Sequence, residues 1–99
     1  MKIEIKVNSL SEHKNIFLSQ DKCLFNGIEK NIDFNHIAER LLNIVVTWQP
    51  KMINPRTIDG KKYCVKIEKD SKVYEFQGAN MFPENFNEFE YLIREIENN

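Results

Sequence analysis

The chain has 99 residues, a formal net charge of −1, 41% apolar residues and two cysteines. A chain of this length buries roughly 60 to 70 per cent of its unfolded surface, enough for one core without disulfides or metals, so residues 1–99 are predicted to form a single globular domain. No apolar run approaches the about 18 residues of a membrane-spanning helix, and a net charge near zero disfavours general nucleic-acid binding. The N-terminus lacks the apolar core of a signal peptide, so we expect a cytoplasmic location.

The first third of the chain contains short segments with the apolar-polar alternation of half-buried strands. Strands are predicted at residues 2–7, 15–19 and 22–25. Asn26 and Gly27 adopt positive φ at low cost, and they predict a hairpin turn between residues 22–25 and 28–32. Residues 8–15 show no clear period and are expected to form a loop or a turn of helix.

Residues 34–48 predict an amphipathic helix, because their apolar residues recur at three-and-four spacing. Asp33 or Asn35 can cap its N-terminus, and Pro50 prevents its continuation. The β-branched run at residues 44–47 makes a strand the alternative for the second half. The length and the continuous period of the segment favour the helix.

Residues 62–77 predict a β-hairpin with a two-residue loop at Asp70 and Ser71. With that loop Lys66 faces Glu75, an opposite-charge pair that contributes roughly 0.2 to 1 kcal/mol. The same register collects five apolar side chains on one face: Tyr63, Val65, Ile67, Tyr74 and Phe76. A slip of one residue would oppose apolar to polar side chains throughout, so the register is strongly specified.

A second helix is predicted after Pro83, where Asn85 and Glu88 form a capping-box pattern. One apolar stripe runs along it: Phe86, Phe89, Leu92, Ile93 and Ile96. Its acidic residues are expected on a solvated outer face: Glu88, Glu90, Glu95 and Glu97. Negative charge is unfavourable near a helix C-terminus, so the last turn is predicted to fray.

These elements together predict an α+β fold of two layers. Two helices pack on one face of a mostly antiparallel sheet, in the order roughly β-β-β-α-β-β-α. An additional strand before residue 59 is left open.

Metal binding and catalysis find little support in the sequence. Cys23, Cys64, His13 and His36 are the only soft-ligand set, and no two of them have the short spacing of structural zinc sites. We therefore expect no metal, no cofactor, no disulfide and no catalytic residue. The alternative is a small enzyme with a pocket that gathers His36, Cys64 and a carboxylate, although no residue pattern indicates a lowered thiol pKa.

The middle of the chain is basic, with seven basic and three acidic residues between positions 51 and 72. A local nucleic-acid contact through charge and stacking is therefore an alternative function. Its candidate residues are Trp48, Lys51, Arg56, Lys61 and Lys62. The favoured interpretation makes Trp48 a core residue and the lysines a solubilising sheet edge.

Apolar residues in two connecting segments, 49–57 and 78–83, suggest a contact surface. The candidate partner-binding residues are Met52, Ile53, Arg56, Met81 and Phe82. If exposed together, they would have the composition of an interface core. The sequence therefore favours a non-catalytic protein-interaction module that forms a homodimer or binds another protein.

Residues 74–93 combine a strand, a glycine loop, a proline and an aromatic-rich helix start. This stretch resembles the ending of small uncharacterised proteins from low-GC Gram-positive bacteria. The resemblance covers about a fifth of the chain. It implies an α+β fold and a bacterial source, and it implies no activity or ligand.

Overall fold

The computed structural model describes residues 1–54 and 60–99. Within them the chain forms a seven-stranded sheet and two helices, which confirms the predicted α+β class. The elements are β1 (Lys2–Asn8), β2 (His13–Leu18), β3 (Cys23–Phe25), β4 (Ile28–Glu29), α1 (Phe34–Val45), β5 (Lys51–Ile53), β6 (Lys62–Lys69), β7 (Lys72–Ala79) and α2 (Phe86–Glu97).

The sheet order is β4-β3-β2-β1-β6-β7-β5. All neighbouring strands are antiparallel except β5 and β7, which run parallel. The N-terminal strand β1 is therefore central, since it pairs with β2 on one side and with β6 on the other.

The β6–β7 hairpin has the predicted register. Lys66 faces Glu75, Val65 faces Phe76, and the connecting residues Asp70 and Ser71 both have positive φ. Asn26 and Gly27 also have positive φ, at 50° and 81°, in the turn between β3 and β4. Two-residue turns of this hand match the twist of the paired strands, so both predicted hairpins are confirmed.

Two segments without a clear period contain strands. The segment 8–15 contributes the end of β1 and the start of β2, and the turn between them is closed by Ser9, whose Oγ accepts hydrogen bonds from the backbone N–H groups of Ser11 and Glu12. The segment 49–57 contains β5, whose three residues pair with the end of β7. The segment 8–15 contains only the ends of two strands and the turn between them, and β5 has three residues, so neither segment is long enough to show a strand period.

The sheet has one covered face and one open face. Along β1 and β6 every second side chain is buried, and these side chains share one core cluster with the apolar stripes of both helices. We call this the inner face and the opposite side the outer face. The outer face of β1 and β6 carries mainly charged and polar side chains.

Helix α1 begins where predicted, because the Asp33 side chain accepts hydrogen bonds from the backbone N–H groups of Asn35 and His36. It ends at Val45, three residues before the predicted end. Trp48 lies beyond the helix, and its backbone N–H donates to the carbonyl of Val45. The chain then turns through Pro50 into β5 at the edge of the sheet.

Helix α2 is held at its C-terminus by lysines of the sheet and of the segment before α1. The Nζ of Lys30 donates to the backbone carbonyl of Glu97 at 2.8 Å, and Lys14 lies 3.5 Å from the Glu97 carboxylate. The helix therefore runs to Glu97, and the predicted fraying of its last turn is wrong. The positive charges of Lys30 and Lys14 add to that of Arg94 in the last turn and offset the acidic residues near the helix end.

The acidic residues of α2 are also less solvated than predicted. Glu90 lies 2.9 Å from Lys61, and Glu95 pairs with Arg40 of α1. None of the helices in the described parts of the chain has the length and apolarity to cross a membrane.

Candidate functional site

An aromatic cluster lies where the end of α1, the start of α2 and the inner face of β6 and β7 meet. Trp48 is at its centre and is only 6% exposed. Its ring centroid lies 5.1 to 6.3 Å from those of four neighbours: Tyr63, Phe76, Phe86 and Phe89. Ring pairs at these separations pack favourably, so the cluster forms a buried, well-packed base for the surface above it.

Asn85 connects the two helices through this cluster. Its Oδ1 accepts a hydrogen bond from Trp48 Nε1 at 2.7 Å, and its Nδ2 donates to the backbone carbonyl of Ile44 at 2.9 Å. The Asn85 side chain consequently makes no hydrogen bond to the first turn of α2, so the predicted capping box is wrong. The side chain instead satisfies two polar groups at the end of α1.

Tyr63 crosses from β6 onto Gly78, its partner on β7. A Cβ atom on Gly78 would lie 2.1 Å from Cε1 of the Tyr63 ring, so only glycine leaves room for the ring. The Tyr63 hydroxyl is buried and has no hydrogen-bond partner among the described residues. Burial raises the pKa of this hydroxyl above its ordinary value of 10.0.

Phe82 lies on the solvent side of the cluster. Its ring centroid is 4.7 Å from that of Phe86 and 6.1 Å from that of Tyr63, yet 40% of the residue is exposed. The preceding residue, Met81, is 48% exposed. These two residues therefore present an apolar surface, and the buried rings of Phe86 and Tyr63 support Phe82 from behind.

A groove of about 480 Å³ adjoins this surface and runs between the end of α1 and the start of α2. Trp48, Met52 and Pro83 supply its apolar lining, and Glu84 and Glu88 supply carboxylates. We call it the helix-end groove. Its volume is within the range of ligand and peptide sites.

The five predicted partner-binding residues do not form one patch. Met52 and Ile53 are consecutive in β5 and face opposite sides of the sheet, because side chains alternate along a strand. Met52 lines the helix-end groove, whereas Ile53 lines a groove on the outer face. Met81 and Phe82 are exposed as predicted, and Arg56 lies outside the described residues.

The predicted nucleic-acid residues are also divided. Trp48 is buried and cannot stack on a base, and Lys61 is 2.9 Å from Glu90. Lys51 and Lys62 are exposed on the outer face, and Arg56 lies outside the described residues. The combination of a stacking ring with exposed lysines is therefore not present around Trp48.

His36 and Cys64, the proposed centre of an enzyme pocket, lie on different sides of the molecule. His36 is exposed on α1, which covers the inner face, and Cys64 lies on the outer face of β6. The outer-face groove that Cys64 lines does not include His36. Burial first, and the charge of Glu75 second, raise the pKa of the Cys64 thiol, which opposes its use as a nucleophile.

Cys23 and Cys64 are both free thiols. Cys23 is buried on the inner face, and burial raises its pKa. Within residues 1–54 and 60–99 no three His, Cys, Asp or Glu side chains come together in a group that could hold a metal ion.

Sequence reasoning missed a second groove, of about 330 Å³, on the outer face. Lys6, Lys62, Cys64 and Gln77 line it together with residues at the ends of β1 and β7. The alternation of β1 and β6 places these polar residues on one face. The missing information was the pairing of β1 with β6, which brings Lys6 and Lys62 together.

No family model matches the chain, and no solved structure matches it. A stretch of 57 residues is 35% identical to a protein from Arabidopsis thaliana described as "Probable serine/threonine protein kinase IRE". The match covers 57% of this chain and 5% of the kinase, so the chain spans a small part of that relative. These comparisons do not bear on the resemblance of residues 74–93 to Gram-positive proteins, which stays a prediction.

Proposed function

We propose that this protein acts by binding another protein, or a second copy of itself, through Met81, Phe82 and the adjoining helix-end groove. The observation that supports this proposal most directly is the exposure of two consecutive large apolar residues, at 48% and 40%, the second of which packs on the aromatic cluster. We call Met52, Met81, Phe82 and Pro83 the apolar surface.

The apolar surface has the features of a pre-organised contact site. The ring of Phe82 is braced by Phe86 and Tyr63, so it loses little conformational freedom when a partner covers it. Aromatic and methionine side chains are enriched in interface cores. The backbone at Asn80 has a φ of 59°, which turns the chain sharply out of β7 just before Met81.

The groove beside this surface suggests the charge of the partner. Glu84 and Glu88 line it, are exposed, and form no ion pair with the described residues. A partner that places an apolar side chain against Phe82 and a basic side chain toward these carboxylates would match the site.

Light scattering after size-exclusion chromatography, over a concentration series at physiological and high salt, tests self-association. A dimer that persists in high salt indicates an apolar interface, and Met81→Asp should then abolish it. Tyr91→Asp is the matched control, since Tyr91 is 64% exposed on α2 and lies outside the apolar surface.

If the protein is a monomer at every concentration, the partner is a different protein. A pull-down from cell lysate would then compare the unaltered chain with Met81→Asp and Tyr91→Asp. Loss of the same captured protein in Met81→Asp alone supports the proposal. Equal capture by all three chains overturns it.

We also propose that the protein works in the cytoplasm. Two free thiols support this proposal, because a reducing compartment keeps cysteines unpaired. Kinase activity forms no part of the proposal, since the matched stretch is short and the three glycines of the chain are too isolated for a glycine-rich phosphate loop.

A further inference from the structure

The outer face of the sheet has matched charges at one end. Lys2 faces Glu68 across β1 and β6, and Lys66 faces Glu4 on one neighbouring strand and Glu75 on the other. Opposite charges in facing positions stabilise a sheet, and each of these two lysines has at least one carboxylate opposite it.

The other end of the same face lacks this matching. Lys6 faces Cys64 on β6 and Asn15 on β2, Lys62 faces Asn8 and Ala79, and Lys51 faces Gln77. Every facing residue is neutral. Lys6 and Lys62 form no ion pair with any described residue.

Lys6 and Lys62 are also close to each other. Lys62 faces Asn8, two residues along β1 from Lys6, so the two lysines are diagonal neighbours. Diagonal neighbours in a sheet are separated by about 7 to 8 Å at their Cα atoms, which lets long side chains converge on one small ligand.

These unmatched lysines line the outer-face groove of about 330 Å³. The Asn8 amide and the apolar side chains of Ile53 and Ala79 also line the groove, as does Gln77, whose Nε2 donates to the Glu75 carboxylate at 2.7 Å. The Oδ1 of Asn8 contacts His13 Nδ1 at 3.1 Å, which orients the Asn8 amide and leaves its N–H₂ group for other contacts. No acidic side chain among the described residues lines the groove.

We propose that this groove binds a small molecule that carries an oxyanion, a phosphate or a carboxylate, on an apolar body. Lys6 and Lys62 bind the oxyanion by charge-assisted hydrogen bonds, and the Asn8 amide is a further donor. Ile53 and Ala79 contact the apolar part. The volume matches a small ligand, being at the low end of the range for ligand pockets.

This site is separate from the apolar surface and does not depend on the proposed protein binding. The two grooves share no lining residue, and the alternating side chains of Met52 and Ile53 place them on opposite faces of the sheet edge.

An NMR titration of the full chain with phenyl phosphate tests the proposal, with benzoate, inorganic phosphate and the neutral analogue phenol as separate arms. We expect saturable amide shifts centred on Lys6, Lys62 and Gln77 with at least one of the two aryl anions and none with phenol. Whichever of phenyl phosphate and benzoate binds more tightly identifies the preferred oxyanion as a phosphate or a carboxylate. Lys6→Gln and Lys62→Gln should each weaken binding by about tenfold, since each removes a hydrogen bond to a charged group.

Lys2→Gln is the matched control, because Lys2 lies on the same strand and face as Lys6 but at the charge-matched end. It should change binding by less than about twofold at physiological ionic strength, where screening limits long-range effects. Alkylation of the half-buried Cys64 by neutral iodoacetamide gives a second readout, which the bound ligand should slow.

Three outcomes would overturn the proposal. The first is amide shifts that do not saturate with either aryl anion. The second is that Lys2→Gln weakens ligand binding as much as Lys6→Gln does. The third is that a single-stranded oligonucleotide, titrated in the same way, shifts the amides of Lys6, Lys62 and Gln77 and binds more tightly than either aryl anion. The last outcome would assign the groove to a nucleic-acid backbone.

Discussion

The ring of Tyr63 lies against Gly78 so closely that a Cβ atom on the glycine would be 2.1 Å from the ring. Tyr63 is 2% exposed, and rings of the aromatic cluster surround it, so it has little room to move aside. This contact joins the central part of the sheet to the edge that carries the apolar surface.

Gly78→Ala should destabilise the protein by about 1 to 3 kcal/mol, because it overpacks a filled core. Urea denaturation measures the free energy of unfolding. In a Tyr63→Leu background the same substitution should cost much less, since the ring that causes the clash is gone. An equal cost in both backgrounds would show that the Tyr63 ring is not the cause.

Tyr63→Phe should leave the free energy of unfolding unchanged or raise it by up to about 1 to 2 kcal/mol. The substitution removes a buried hydroxyl that lacks a hydrogen-bond partner among the described residues, and such groups cost desolvation energy. Tyr74→Phe is the control on the same sheet. Because Tyr74 is 49% exposed, its hydroxyl carries no comparable desolvation cost, and its removal should not raise the free energy of unfolding. A marked loss of stability in Tyr63→Phe would mean that the hydroxyl does make a stabilising hydrogen bond.

The raised pKa of Tyr63 also predicts a pH dependence. The folded state holds the Tyr63 proton more tightly than the unfolded state does. The contribution of this proton to the free energy of unfolding is therefore complete below pH 10.0, and it is lost as the pH rises from there toward the folded-state pKa. The fall in unfolding free energy between about pH 8 and about pH 11 should therefore be smaller in Tyr63→Phe than in the unaltered protein. An identical fall in both proteins would contradict the prediction.

Asn85→Ala should destabilise the protein by about 1 to 3 kcal/mol, because it leaves the Trp48 indole N–H and the Ile44 carbonyl without their partner. Trp48 is the one tryptophan of the chain, so its fluorescence reports the local change directly. Asn87→Ala, at an exposed position of the same helix, should change neither stability nor emission wavelength appreciably.

Lys30→Gln should cost about 0.3 to 1 kcal/mol, since it removes a positive charge from the C-terminus of α2. The loss should shrink at high salt, because the interaction with the helix dipole is screened. Lys22→Gln is the control at an exposed position. Denaturation curves at two salt concentrations would separate the two variants, and a salt-independent cost would show that packing of the Lys30 stem dominates.

The sequence predicted local structure well where one segment contains both partners of an interaction. The β6–β7 register followed from a two-residue turn and from the pairing of Lys66 with Glu75, and the start of α1 followed from Asp33. In each case the atoms that interact lie within a few residues of one another, so their spacing carries the information.

The predictions failed where the deciding partner is distant in sequence. Asn85 has the sequence context of a helix cap, yet Trp48 and the Ile44 carbonyl compete successfully for its side chain. The negative charge near the C-terminus of α2 is unfavourable for the helix, and Lys30, from a distant part of the chain, offsets it. The outer-face groove depends on the pairing of β1 with β6, which no local pattern specifies.

The central position of β1 has a consequence for how the chain folds. Lys2 faces Glu68, so one side of the first strand stays unpaired until most of the chain is available. Contacts of such sequence separation slow folding, and sheets dominated by them form in milliseconds to seconds. On the ribosome, β1 and β2 emerge early with an exposed strand edge, and the sheet closes only after β6 has been synthesised.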